Sequence, residues 1–289
     1  MMMRLAIEVV VALLSGAAVL VLGSLVSRNL PPGIRTAGRR NFHGHLPFAT
    51  GVIVGCVLLA MFAPMLFPGD RFHLVPRTIL YCVLAALVTA GFLLIDLYFP
   101  EQPVAGLAQD IDGRRIKQRR LAICLATIVA VVGAALAGIR FPILSFGSGS
   151  ERELGFWAGP LTVVWLIGAT LSVKLLDGLN GAAHLVLVAA CLLVFYLTFG
   201  TQEYFLNAFS LVVGMVSAAA LRFSLHPARL PVAGGGTLAA GFLFAMLIVF
   251  ARQKTVAAAV FMVPILAVVL VAGGAMLSIL EKQFTAEKK

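Results

Sequence analysis

The stretch Val173–Ala182, V-K-L-L-D-G-L-N-G-A, sets a lysine, an aspartate and glycines between two long apolar runs, Trp157–Ser172 and Ala182–Phe199. Groups this polar are costly in lipid, and ionisable residues at a membrane edge mark candidate functional sites. Lys174 and Asp177 carry opposite charge three residues apart, so on one helical turn they could pair. The same residues also read as an ordinary helix–helix turn in which Gly178 and Gly181 cap a helix C-terminus. Spacing alone does not separate the two readings. A second stretch, R-F-S-L-H-P-A-R from Arg222 to Arg229, is followed by Gly234-Gly235-Gly236-Thr237 and another apolar run. Glycines ahead of a helix expose backbone N–H groups at its positive end, a geometry suited to phosphate. His226 and Arg229 could add charge and hydrogen bonds to a diphosphate. A basic anchor with a plain turn is the simpler reading of the same residues. Asp96 ends an apolar run, and His43 and His45 lie in a basic loop where they could touch lipid phosphate or stay solvated.

These residues need a scaffold, and composition says what kind. Of 289 residues, 61% are hydrophobic and 12% charged, about half the charged share of a soluble domain. The chain reads as an all-α, polytopic membrane bundle, a single integral membrane domain over residues 1–289. About nine apolar runs are long enough to span a bilayer: Leu5–Val26, Phe48–Phe67, Thr78–Tyr98, Leu121–Gly138, Phe156–Val173, Ala182–Phe199, Leu206–Leu221, Thr237–Phe250 and Val256–Leu280. The first is too long for a signal-peptide core and is kept as a membrane helix. Cys56, Cys82, Cys124 and Cys191 fall inside apolar runs without C-x-x-C spacing, which points to buried thiols rather than a disulfide framework or zinc site.

The formal charge of +10 could suggest nucleic acid, but the basic residues sit in short loops, where they report topology and contact with anionic lipid. Alternate loops hold most of them: Arg28, Arg35, Arg39 and Arg40, the run Arg114–Arg120, Lys174, Arg222, Arg229 and the C-terminal lysines. By the positive-inside rule that side is cytoplasmic, with the N-terminus outside and the C-terminus inside. Every unusual loop then lies on one face, and the expected location is the cell membrane with a site toward the cytoplasm. Paired broken helices are not evident, which counts against a secondary transporter. Glu8, near the outer end of the first run, is expected to reach the interface.

In sequence, R-F-S-L-H-P-A-R resembles an R-F-N-x-x-P-A-R segment, L-L-D-G-L-N-G resembles N-x-x-N-x-x-D-G-x-D-G, and Gly91–Tyr98 resembles a segment carrying paired aspartates. All three belong to the polyprenyl-phosphate N-acetylhexosamine-1-phosphate transferases, and the resemblance runs from His45-Leu46-Pro47 to Pro264-Ile265-Leu266. It implies an integral membrane enzyme that moves a sugar-1-phosphate from a UDP-sugar to a polyprenyl phosphate in cell-envelope glycan synthesis, using Mg²⁺. On that basis Asp96 and Asp177 are the catalytic candidates, and Lys174, Gly178, Asn180, His226, Arg229 and His45 the substrate-binding ones. A homodimer is left open.

Departures from the family pattern bear on the metal. Leu94-Ile95-Asp96 stands where the family has an aspartate pair, Lys174 replaces an asparagine, Asn180 an aspartate, Gly234 a metal-binding aspartate, and Ala267 an aspartate after Pro264-Ile265-Leu266. Mg²⁺ wants hard oxygen ligands, and an ammonium at a ligand position repels it. No metal site is therefore assigned, and Lys174 is expected to take the space of the lost cation. Two functions follow: a divergent transferase, or a non-catalytic homologue that binds lipid phosphate or nucleotide in a regulatory or assembly role.

Overall fold

Eight of the nine apolar runs fold as helices in the computed structural model, which describes residues 2–29, 40–67, 73–99, 112–139, 143–146, 150–153, 155–175, 181–199, 204–224 and 234–250. They are α1 (Met2–Asn29), α2 (Arg40–Leu66), α3 (Val75–Tyr98), α4 (Asp112–Leu136), α5 (Ala158–Leu175), α6 (Ala182–Thr198), α7 (Tyr204–Ser224) and α8 (Gly235–Phe250). The ninth run, Val256–Leu280, lies outside the described residues. Six of these helices, α1 to α5 and α7, are long and apolar enough to cross a membrane, while α6 and α8 are shorter apolar helices. The loop between α4 and α5 departs from the all-helical expectation. It holds an antiparallel hairpin of β1 (Ile143–Phe146) and β2 (Ser150–Glu153), paired from Ile143 with Glu153 to Phe146 with Ser150.

Two helices start earlier than hydrophobicity indicates. α2 begins at Arg40 and runs through Pro47, and α4 begins at Asp112 and carries the basic run inside its first turns. A hydropathy boundary marks the edge of the hydrocarbon, whereas backbone hydrogen bonds continue past it. This extension brings His45 and Arg119 onto helices rather than loops.

The centre of the bundle is α8, whose residues from Gly235 to Val249 are all buried. A helix apolar on every side belongs in a core, and α8 packs against α5, α3, α6, α2 and α7. On the other flank α2 crosses α1 and α7 through Gly51 and Gly55. A Cβ at Gly51 would stand 2.3 Å from Val19 Cγ2, and one at Gly55 2.3 Å from Val212 Cγ1. Small residues four apart let membrane helices approach where lipid gives no hydrophobic drive. Several hydroxyls inside the spans donate one turn back, as Thr89 does to the Ala85 carbonyl (2.7 Å) and Thr170 to that of Leu166 (2.6 Å), so these need no water.

Contacts sort the helix ends into two groups. Arg4 lies over the Tyr204 ring at 4.7 Å, and Phe67, Tyr81, Phe205 and Phe250 join that end through ring contacts. His45, Asp96, Arg119 and Gly235 meet at the other. Glu8 is buried rather than interfacial, one helical turn from Arg4.

Candidate polar site at one end of the bundle

Asp96 sits in the last turn of α3, buried at 1% exposure. Its carboxylate takes groups from three other helices. The Gly235 N–H, at the start of α8, donates to both oxygens, 3.0 Å to Oδ1 and 2.9 Å to Oδ2. His45 Nδ1 on α2 stands 3.1 Å from Oδ2, and Arg119 Nη2 on α4 donates to Oδ1 across 3.4 Å. A carboxylate only accepts, so His45 carries its Nδ1 proton toward Asp96. Its Nε2 has no hydrogen-bond partner among the described residues.

The glycine run has separate steric reasons at two positions. Gly234 has φ of 72°, the left-handed region that favours glycine. Gly235 has ordinary helical placement but no room: a Cβ there would meet the Phe92 carbonyl oxygen at 2.5 Å and Asp96 Oδ2 at 2.7 Å. Thr237 closes the turn by donating to the Gly234 carbonyl at 2.9 Å. The glycine run predicts a helix end open to phosphate, and in the structure Asp96 fills it. The anion on α8's first N–H is the chain's own Asp96, because a carboxylate on a partly positive helix start satisfies both the orphan donor and the dipole.

Of the residues singled out from sequence, Asp96 and His45 come together. Lys174 closes α5, half-buried and already engaged with a partner. Asp177, Gly178, Asn180, His226 and Arg229 lie outside the described residues. Gly181, expected to end a helix, instead stands before α6 with φ of 78°, so it begins the next helix.

Three contributors were not anticipated. Arg119 was absorbed into the basic run that sets topology, although its side chain reaches inward and is only 15% exposed. Gly235 was read as a donor to ligand rather than to Asp96. His184 on α6 is buried with neither ring nitrogen partnered among the described residues, and Phe48 stands between it and His45, with ring centroids 5.2 Å from His184 and 6.3 Å from His45. A histidine two residues into an apolar helix was the available signal.

The described part of this cluster does not fit Mg²⁺. Both Asp96 oxygens already accept N–H donors, and a guanidinium stands beside them. Among the described residues no group of three or more His, Cys, Asp and Glu side chains could share an ion. Magnesium needs several open oxygen ligands with water or phosphate completing an octahedron.

Comparison with known proteins bears on the same region. The profile of glycosyl transferase family 4 matches residues 103–252, which include Arg119 and the Gly234–Gly235 turn. A probable undecaprenyl-phosphate N-acetylglucosaminyl 1-phosphate transferase of Bacillus subtilis is 29% identical over 130 residues, 45% of this chain and 36% of the relative. Phospho-N-acetylmuramoyl-pentapeptide-transferases of Halalkalibacterium halodurans and Staphylococcus saprophyticus are 26% identical over 204 residues and 25% over 223. They cover 68% and 73% of this chain, and 59% and 62% of their own lengths. The chain thus spans between about a third and three fifths of the length of these relatives. The profile match extends across half of the chain, and the chain belongs to glycosyl transferase family 4.

Proposed function

We propose that this chain is a divergent membrane sugar-1-phosphate transferase homologue that takes a polyprenyl phosphate and a UDP-sugar at the bundle end carrying Asp96, in cell-envelope glycan synthesis. Magnesium-dependent turnover is weak or absent. The observation that carries this reading is the junction at Asp96, where one buried carboxylate gathers α2, α3, α4 and α8 at the end that also holds Lys174 and the basic part of α4. One relative is named a probable undecaprenyl-phosphate N-acetylglucosaminyl 1-phosphate transferase, and the distribution of basic loops supports a cytoplasmic location for this end.

A second reading is a non-catalytic homologue that binds lipid phosphate or nucleotide and serves a regulatory or assembly role. It is favoured by the engagement of both Asp96 oxygens with Gly235. Full-length protein in lipid nanodiscs, given undecaprenyl phosphate, UDP-N-acetylglucosamine and Mg²⁺, separates the two. Slow UMP release supports the divergent transferase. Ligand-dependent stabilisation of roughly 2.7 kcal/mol at one hundred times the dissociation constant, without UMP release, supports the binding protein. Fast Mg²⁺-dependent turnover abolished by Asp96→Asn contradicts the weak-turnover statement.

A further inference from the structure

The side chains that the bundle leaves uncovered change type along the helices. In the middle of α3, α5 and α6 they are aliphatic, as at Leu87, Val164 and Leu192, each more than half exposed. Among the described residues the exposed large aromatic side chains are Tyr98, Phe156, Trp157, Tyr196 and Phe199, and each stands within one turn of a helix end. Tyr98 is the last residue of α3. Phe156 and Trp157 lie in a single 3₁₀ turn, Gly155–Trp157, ahead of α5, and meet edge to face with ring centroids 6.2 Å apart. Tyr196 and Phe199 lie where α6 ends, away from Asp96 like the start of α5.

Neither water nor hydrocarbon suits such rings. An indole N–H or phenol O–H needs a hydrogen-bond partner that lipid tails lack, and the apolar body of the ring is poorly placed in bulk water. The headgroup layer of a bilayer meets both needs. The heights agree with this. From Ala158 to Lys174 α5 rises about 24 Å at about 1.5 Å per residue. A hydrocarbon core is about 30 Å thick, so a boundary at Trp157 puts the opposite one just beyond Lys174. At that opposite end the exposed ring is Tyr98, and Asp96 precedes it by two residues, about 3 Å along α3. The last turn of α3 therefore presents Tyr98 outward at 72% exposure and keeps Asp96 inside the bundle at nearly the same level.

We propose that Phe156, Trp157, Tyr196 and Phe199 are the contact surface with the lipid headgroup layer at one end of the bundle, and Tyr98 its counterpart at the other. The Asp96 junction then lies at headgroup depth, not in the middle of the bilayer. The partner is the glycerol-ester region of a phospholipid bilayer, whose carbonyls and bound water accept from the indole N–H and the phenol O–H. A lipid phosphate meets the Asp96 end at the level where it already lies, without being drawn into hydrocarbon. This placement does not depend on which substrate the chain takes.

The test uses the full chain in phosphatidylcholine vesicles whose acyl chains carry bromine, a contact quencher of indole fluorescence, either near the glycerol or near the methyl end. The chain has two tryptophans, Trp157 and the partly buried Trp165, so Trp165→Phe leaves Trp157 as the sole reporter. Its emission should fall more with the shallow bromines than with the deep ones. Tyr98→Trp, with both native tryptophans changed to phenylalanine, should show the same shallow preference, and Leu87→Trp in that background the reverse. Should Trp165→Phe fail to fold, the native chain read against Trp157→Phe, and Tyr98→Trp and Leu87→Trp each read against their parent, give the same readouts. Stronger quenching of Trp157 by the deep bromines, or quenching by aqueous iodide and by neither lipid, would overturn the proposal. Indifference to all three quenchers would overturn it as well, with a second copy of the chain covering the rings. A Tyr98→Trp reporter that prefers the deep bromines would overturn the depth given to Asp96. Each of these failures leaves the transferase reading standing, since none of them measures turnover or ligand binding.

Discussion

Two buried polar junctions, one toward each end of the bundle, are built on opposite plans. At one end Asp96 joins partners 51, 23 and 139 residues away in sequence, on α2, α4 and α8. At the other, Thr198 and Asn207 are nine residues apart on consecutive helices. There the Thr198 hydroxyl bonds Asn207 Oδ1, and Asn207 Nδ2 reaches back 3.4 Å to the Thr198 carbonyl. The second junction is neutral and merely staples α6 to α7 across their short connection. The first is ionic and ties α8 to the much earlier helices α2, α3 and α4. A neutral local pair loses little when broken, because each helix keeps its neighbour. A buried charge that holds distant helices cannot lose one member without stranding the rest.

The sharpest way to break the comparison is Asp96→Ala. It leaves the Gly235 N–H, His45 Nδ1 and Arg119 facing a void, and removing one partner of a buried ionic set costs about 3–5 kcal/mol. The thermal midpoint of the full chain in one detergent should fall more than for any other single change described here. Asp96→Asn keeps an acceptor for Gly235 and loses only the charge, so its cost should be about 1–3 kcal/mol, the range for hydrogen bonds to charged groups. If Asp96→Asn costs nothing, Arg119 contributes nothing to holding the junction; if both substitutions cost the same, the charge carries the whole effect and the Gly235 hydrogen bonds add nothing.

Gly235→Ala tests the steric half. The added methyl would stand 2.5 Å from a backbone carbonyl and 2.7 Å from the carboxylate. The backbone carbonyl cannot swing away as the tip of a side chain could, so α8 must shift off α3 at a cost of about 1–3 kcal/mol. Gly236→Ala is the comparison, since the next residue along lies on another face of the same helix. An equal loss at both positions would assign the effect to helix burial in general rather than to the Asp96 contact.

How much of this was legible follows from what each feature depends on. Spans read well because hydrocarbon imposes a length and an apolar requirement that composition reports directly: α3, expected over Thr78–Tyr98, runs Val75–Tyr98, and α7, expected over Leu206–Leu221, runs Tyr204–Ser224. Helix starts read poorly where charge meets the membrane, since Arg40 and Asp112 begin helices that hydropathy places later. Asp96 and His45 were both singled out, but for a ligand rather than for each other. Their partnership is a contact 51 residues apart in sequence, which neither periodicity nor spacing encodes. Gly235 is the instructive case. A glycine run before a helix signals a bare N-terminus correctly, and says nothing about whether the anion there comes from solution or from the chain. Arg119 was hidden for a related reason: five basic residues within seven positions read as one topological signal, and only packing shows that one of them turns inward.

The smallest effect is expected at the neutral junction. Thr198→Val keeps shape but removes the hydroxyl, whose single proton is shared between Asn207 Oδ1 and the Val194 carbonyl, 2.7 Å away within α6. Asn207 retains its contact to the Thr198 carbonyl, which the substitution does not touch. Hydrogen bonds between membrane helices average about 0.6 kcal/mol, with a maximum near 1.7, because the unfolded chain in lipid also finds partners. A midpoint shift small beside that of Asp96→Ala, with α6 and α7 still packed, is therefore the expected result. A loss rivalling Asp96→Ala would mean that the short connection between α6 and α7 does not hold them together, and that the local junction bears as much of the bundle as the long-range one.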